Sequence, residues 1–255
     1  MIGLDDRGLT LGDGLFETLL ALDGALQAAP EHLARMVQGC AVIGLPPPDP
    51  DQALSLMQAA ITTAGLQSGR AAVRLTLTAG PGGRGLERPP TPVPRLFATA
   101  APSPLAEGPA RLAVSAVRRN AGSPASRLKT LSYLDNVLAR RQARAAGADE
   151  ALMLNGAGEV ACASAANLFW LQDGRLHTPA LDCGVLAGVT RAKVMAAAGR
   201  RGLAVVEAHA GLEALAAAEG LFLTNSLIGV RPVASLDGRP LAAADLVALL
   251  RGEVG

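Results

Sequence analysis

The stretch Ala-Pro-Ser-Pro-Leu-Ala-Glu-Gly-Pro, from Ala101 to Pro109, constrains this chain more than any other. Its three prolines fix their φ angles and remove backbone donors, so it can serve neither as a helix nor as a central strand. A linker here predicts two domains, an N-terminal one over residues 1–102 and a C-terminal one over residues 109–255. With 255 residues, half of them hydrophobic, each part has enough apolar side chains for a core of its own.

Periodicity fills in both parts. Before the linker, strands are expected at Gly14–Leu22, Ala71–Thr78 and Leu96–Ala101, with helices at Pro30–Gly39 and Pro50–Ala64. After it, a strand at Ala110–Val117 leads into a helix at Thr130–Ala146 that Gly147 closes. Short strands follow at Ala151–Leu154, Val160–Ala163, Asn167–Leu171 and Arg175–His177, the last two joined by an Asp173-Gly174 turn. Helices at Thr190–Arg201, Leu212–Ala218 and Ala242–Arg251, with a strand at Gly220–Thr224, complete the pattern. Helices and strands mixed without strict βαβ alternation give an α+β class rather than a doubly wound sheet.

Charge and composition exclude several functions. A net charge of +1 gives no field to gather nucleic acid or an anionic membrane, and 2% aromatics provide no platform for stacking bases. The expectation is a soluble, cytoplasmic protein without nucleic-acid or membrane partners. Cys40, Cys162 and Cys183 are odd in number and far apart, and the three histidines show no ligand spacing, so no metal is expected. His177 and His209 read as surface or capping residues. The run Gly80-Pro81-Gly82-Gly83-Arg84-Gly85 has the letters of a dinucleotide fingerprint, but Leu86-Glu87-Arg88-Pro89-Pro90 cannot start the helix that would hold a pyrophosphate. Two readings stand for it: a flexible turn, or a loop presenting Arg84 to an anionic substrate.

Only Lys129 and Lys193 are lysines, so chemistry that needs an amine nucleophile has two candidates. Lys193 falls on an amphipathic helix beside Arg200 and Arg201 and reads as a surface residue. Lys129 lies among apolar residues where a turn meets a helix, and a helix N-terminus would lower an amine pKa. His32 and Arg35, one turn apart, read first as a solvated basic face.

Six ordered motifs then place the chain beside a known family. They are Gly12-Asp13-Gly14-Leu15-Phe16-Glu17-Thr18, Glu31-His32-Leu33-Ala34-Arg35, Lys129 to Ala139, Gly147-Ala148-Asp149-Glu150-Ala151, Ala165-Ala166-Asn167-Leu168-Phe169-Trp170 and Leu186-Ala187-Gly188-Val189-Thr190-Arg191. From about Asp6 to Val233 the chain resembles the class IV aminotransferases, pyridoxal phosphate enzymes of fold type IV. The family includes branched-chain and D-amino acid aminotransferases and aminodeoxychorismate lyases, with the cofactor between two domains and homodimers as the common state.

The resemblance implies roles for particular residues. Lys129 matches the lysine that links to pyridoxal phosphate and moves the substrate proton. Arg35 matches the arginine that holds the cofactor phosphate, which replaces the solvated reading for it. Val189 and Thr190 match the helix N-terminus that binds the same phosphate, and Ser226 a further hydroxyl ligand. Tyr133 lies one residue closer to the lysine than the tyrosine that some relatives set against the cofactor, so that role is not carried over.

Two departures from the family pattern stand out. Where the family places the glutamate that keeps the pyridine nitrogen protonated, this chain has Cys162. Glu159, three residues earlier, is expected on the opposite face of the strand. Relatives also usually carry a further strand ahead of this start. Arg84 and the Ala-Ala-Asn-Leu-Phe-Trp run look most like the aminodeoxychorismate lyases, which release pyruvate and form 4-aminobenzoate for folate synthesis. Arg74 and Arg84 are the candidate partners for the carboxylates of a small amino substrate. The alternatives are a D-amino acid or branched-chain aminotransferase, or a cofactor-binding homologue without turnover.

Overall fold

The computed structural model describes residues 2–242 together with Val247, Ala248, Leu250 and Gly252. The expected helix at Ala242–Arg251 therefore lies for the most part outside the described residues. The chain forms two compact units, Met1–Leu105 with Leu128–Ser132, and Ala106–Arg127 with Tyr133–Gly255. A single cut at the linker does not separate them, because the five residues around Lys129 return to the first unit.

In the first unit, α1 (Arg7–Leu11) precedes β1 (Gly14–Leu22), β2 (Ala25–Leu26), α2 (Ala29–Ile43), α3 (Pro50–Thr63), β3 (Arg70–Thr78) and β4 (Arg95–Pro102). The sheet is antiparallel in the order β2-β1-β3-β4. β1 and β3 pair along their whole lengths, from Gly14 opposite Thr78 to Leu22 opposite Arg70. α3 starts where Asp49 caps the Gln52 N–H ahead of Pro50. Leu19, Met57, Ile61, Val73 and Leu75 are fully buried between the helices and the sheet. α2 runs four residues beyond the expected Gly39. A Cβ at Gly39 would lie 2.8 Å from Leu15, so that glycine permits close packing, and Gly44 at φ +66° closes the helix instead.

The second unit contains β5 (Ala110–Val114), α4 (Pro124–Arg127), α5 (Leu134–Ala145), β6 (Glu150–Leu154), β7 (Val160–Ala163), β8 (Asn167–Gln172) and β9 (Arg175–Pro179). A 3-10 turn at Leu181–Cys183 leads to α6 (Val189–Arg200), β10 (Val205–Ala208), α7 (Leu212–Ala216), β11 (Gly220–Asn225), β12 (Gly229–Leu236) and β13 (Arg239–Pro240). Its sheet follows the order β10-β9-β8-β11-β12-β5-β6-β7, with β13 added to β12. β12 and β5, β5 and β6, and β10 and β9 run parallel, the other pairs antiparallel. Phe169 and Phe222 stack at 5.1 Å between β8 and β11, and Trp170 is buried on the other face. The α+β expectation holds. Among the described residues, no helix is long and apolar enough to cross a membrane.

Candidate active site

Lys129 is held by strand addition. β2 pairs with only the far end of β1, and the vacant edge beyond it is filled by residues 129–131. The Phe16 N–H donates to the Lys129 carbonyl at 2.9 Å, and the Leu131 N–H to the Gly14 carbonyl at 3.0 Å. The ammonium nitrogen Nζ then stands 4.1 Å from the Phe16 ring centroid, and the Arg74 guanidinium lies 3.6 Å from the same centroid. Burial lowers the Lys129 amine to about 8; the Glu17 carboxylate opposes the shift, while Arg35 and Arg74 reinforce it.

The sequence singled out this amine for its place at a helix N-terminus, and that reason the structure corrects. α5 begins at Leu134 rather than Thr130, so Lys129 sits on extended backbone and not at a helix N-terminus. Desolvation, not a helix dipole, makes it a weak base. Lys193 is exposed on α6, as expected. Since burial disfavours the cation, modification of Lys129 by an amine reagent in the cofactor-free chain rises with pH through a midpoint near 8. Peptide mapping after timed labelling measures this, and a midpoint at the ordinary lysine value would contradict the burial argument.

Beneath Phe16 in sequence, Glu17 points into the core and is 1% exposed. Its carboxylate accepts from His32 Nδ1 at 2.7 Å, Arg35 Nε at 2.8 Å and Arg35 Nη2 at 2.6 Å. Burial alone would raise this carboxyl, but the hydrogen bonds from Arg35 and then His32 outweigh it, and it lies below the usual range. His32, also 1% exposed, is therefore not on a solvated face; α2 turns both basic side chains of the His-Leu-Ala-Arg run toward β1. Arg74 is half-buried on β3, where its Nε donates to Thr76 Oγ1 at 3.3 Å.

Within the second unit, hydrogen bonds fix the loops around the start of β8. Asn167 pairs with Thr224 of β11, and its Nδ2 donates to the Leu186 carbonyl at 2.9 Å, fixing the loop ahead of α6. A Cβ on Gly188 would fall 2.0 Å from Asn167 Oδ1, so any other residue at this N-cap would displace the Asn167 amide. Gly188 offers no side-chain cap, which leaves the first-turn N–H groups of Val189 and Thr190 without a side-chain acceptor from it. Asn225 donates to the Ala165 carbonyl at 2.8 Å and accepts from the N–H groups of Leu227 and Ile228, shaping the turn that carries Ser226. The Thr224 hydroxyl is buried with no hydrogen-bond partner among the described residues.

Cys162 is buried on β7, packed with Ala161, Ala180, Cys183 and Val185. Burial pushes its thiol up; the Arg119 guanidinium lowers it and the Glu150 carboxylate raises it again. The thiol is neutral. Arg119 is fixed by Gly184, Asn136 and Ser126 acceptors. Glu159 does not stand in for the missing carboxylate, since its oxygens face Asn155, His209 and Cys183.

The glycine-rich loop starts no helix. Residues 85–87 are gathered onto Arg7, which is 3% exposed and donates to the carbonyls of Gly85, Leu86 and Glu87. Arg7 also pairs with Asp13 at 2.8 Å, as does Arg88. The loop is thus a tied structure, and Arg84 stands exposed at its tip.

A strand-added lysine and a separate helix N-terminus are parts that many unrelated proteins could carry. The sequence profile described as Amino-transferase class IV matches residues 14–236. The chain belongs to the class IV aminotransferase family. These enzymes use pyridoxal phosphate and act as aminotransferases or lyases on small amino substrates. A Methanocaldococcus jannaschii protein, provisionally named a branched-chain-amino-acid aminotransferase, is 33% identical over 93% of this chain and 83% of its own length. D-alanine aminotransferase of Listeria monocytogenes is 30% identical over 94% of the chain and 84% of the relative. Among solved structures, 4-amino-4-deoxychorismate lyase from Pseudomonas aeruginosa superposes with a TM-score of 0.88 at 32% identity, covering 99% of this chain and 93% of that one.

The residues present fit the family's cofactor. The first unit supplies an amine that burial makes easier to deprotonate than an ordinary lysine, and the second unit supplies a helix N-terminus whose N-cap carries no side-chain acceptor. Sequence reasoning passed over Glu17, Arg119 and Asn167 as functional groups. Glu17 and Asn167 lay inside the quoted motifs, whereas Arg119 carried no local signal.

Proposed function

We propose that this class IV enzyme is an aminodeoxychorismate lyase, which releases pyruvate and forms 4-aminobenzoate. One observation carries the preference: Cys162, at the position where the resemblance places the family's glutamate, is a buried neutral thiol with Arg119 acting on it. Neither a thiol nor a guanidinium can accept and share a proton with the cofactor's pyridine nitrogen as a carboxylate does. When bound, pyridoxal phosphate supplies an electron sink, and a ring without that proton is a weaker one. Transamination depends on the sink throughout, whereas elimination that makes an aromatic ring has its own driving force.

The chain's residues take the following parts. Lys129 would hold the cofactor through its carbonyl carbon and, once the substrate amine has displaced it, would as a neutral amine take and return the substrate proton. Arg35, already oriented by Glu17, would contribute a cation for the cofactor phosphate, and within the second unit Val189, Thr190 and Ser226 are candidate phosphate donors. Arg74 lies beside the same phenyl ring as the Lys129 amine and is the first candidate for a substrate carboxylate, and Arg84 the second.

Coupled assays for pyruvate with 4-aminobenzoate, and for transfer of the amino group to an oxo acid, test this reading. Lyase turnover with negligible transamination of D-alanine or branched-chain amino acids is expected. The reverse result assigns the chain to the aminotransferases, a reading that the Methanocaldococcus relative favours. In the same assays, Cys162→Glu raises the transamination rate more than the lyase rate, provided the larger side chain is accommodated. If the unaltered protein transaminates well and this variant does not improve it, the electronic argument fails. Arg35→Ala weakens cofactor binding by about 1.5 to 3 kcal/mol, the scale of a charge-assisted hydrogen bond, in an absorbance titration. Unchanged affinity would leave Arg35 only its contact with Glu17.

A further inference from the structure

Away from these residues, three segments of the second unit converge on three different ligand types. Glu159 immediately precedes β7, Cys183 ends the 3-10 turn, and His209 follows β10. Backbone bonds fix the convergence: the Val160 N–H donates to the Ala210 carbonyl at 2.7 Å, and the Ala180 N–H to the Ala208 carbonyl at 3.1 Å. Cys183 Sγ lies 3.5 Å from His209 Nδ1 and 3.6 Å from Glu159 Oε2, and His209 Nδ1 lies 3.1 Å from Glu159 Oε1.

These spacings are those of ligands sharing one ion. Tetrahedral zinc with ordinary bond lengths would set sulfur about 3.6 Å from both nitrogen and oxygen, and nitrogen about 3.4 Å from oxygen. The orientation of the imidazole agrees. Its Nε2 lies 3.1 Å from Asp182 Oδ1, and in the tautomer protonated there the Nδ1 lone pair faces the sulfur and the Glu159 carboxylate. Asn155 Nδ2 donates to Glu159 Oε2 at 2.6 Å and steadies that carboxylate in turn. The cysteine is buried and the histidine exposed, so the cluster has a wall and an opening to solvent.

We infer that Glu159, Cys183 and His209 form a binding site for a zinc-class divalent cation, with Asp182 orienting the histidine and water completing the coordination. The mixed sulfur, nitrogen and oxygen set selects a borderline-soft ion over calcium or magnesium, which take oxygen ligands. Binding forms the metal–sulfur bond and releases the thiol proton to solvent. The ion cross-links the turn before β7, the 3-10 turn and the end of β10.

The test uses the cofactor-loaded enzyme after chelator treatment and dialysis. Titration with zinc against a chromophoric competitor gives one saturable site per chain, and cobalt in its place shows a thiolate charge-transfer band. Asp182→Asn weakens zinc by roughly 10- to 100-fold, the cost of an outer-shell partner, and His209→Ala or Cys183→Ser by more. His209 is exposed, so its alanine variant retains the fold, and the cofactor absorbance checks this. Zinc raises the unfolding temperature of the unaltered enzyme and not of these two variants. Absence of one-to-one binding, or binding that survives both His209→Ala and Cys183→Ser, would overturn the inference and leave a hydrogen-bonded ion-pair cluster.

Discussion

Lys129→Ala abolishes turnover and leaves no borohydride-reducible linkage between cofactor and chain, whereas Lys193→Ala retains both. The proton-transfer role alone accounts for a loss of about 10²- to 10⁴-fold, and loss of the covalent attachment adds to it. No other residue can substitute: the chain's remaining basic side chains besides Lys193 are arginines and histidines, and Lys193 is exposed on α6. Borohydride reduction followed by peptide mapping decides the matter. A reduced adduct on the Lys129→Ala protein, mapped to Lys193, would overturn the assignment of the reacting amine.

Glu17→Gln is expected to produce the largest loss of stability. The glutamine keeps the shape of the side chain but leaves the buried His32 and the largely covered Arg35 without their anion. Removing one member of a buried ion pair costs about 3 to 5 kcal/mol, and Arg35's partial exposure sets the expectation near the lower figure. Urea unfolding of the cofactor-free variant measures it, and a loss below about 1 kcal/mol would mean that the network contributes like a surface pair. The pH dependence has a definite sign. Because the folded Glu17 carboxyl lies below its ordinary value, its contribution is fully present above that value and lost as pH falls through the lowered one. The variant also reports on Lys129. Glu17 favours the ammonium form, so its removal moves the amine-reagent midpoint further below about 8.

The elements most legible in the sequence were those with strong local signals. β1 matches its expectation residue for residue, α3 and β3 differ by one residue at one end, and α6 by one residue at each end. The Asp173-Gly174 turn has both residues at positive φ, as a two-residue hairpin requires. The same dipeptide turns the chain at Asp23-Gly24 and Asp237-Gly238, a signal present in the sequence and left unused there. β10 and β12 went unread. Val205–Ala208 is short, and β12 contains Gly229 and Pro232, so nonlocal pairing with β9, β11 and β5 determines both strands. The candidate site was legible as residue types through motif order. What surrounds Lys129 was not, because Glu17, Arg35 and Arg74 reach it through β1 pairing with residues over a hundred positions away.

That pairing also bears on how the chain folds. β1 and β3 can pair as soon as the first unit is made, but the edge of β1 at Gly14–Phe16 stays open until residues 129–131 arrive. An open edge is a place where another chain can add a strand, and closing it requires a long loop to return. The segment that carries the amine is thus also the cover that protects a nascent sheet from intermolecular pairing. Synthesis that stalls at the proline-rich linker would expose that edge, and Leu131→Pro, which deletes the donor to Gly14, would make such a state persist in the finished chain.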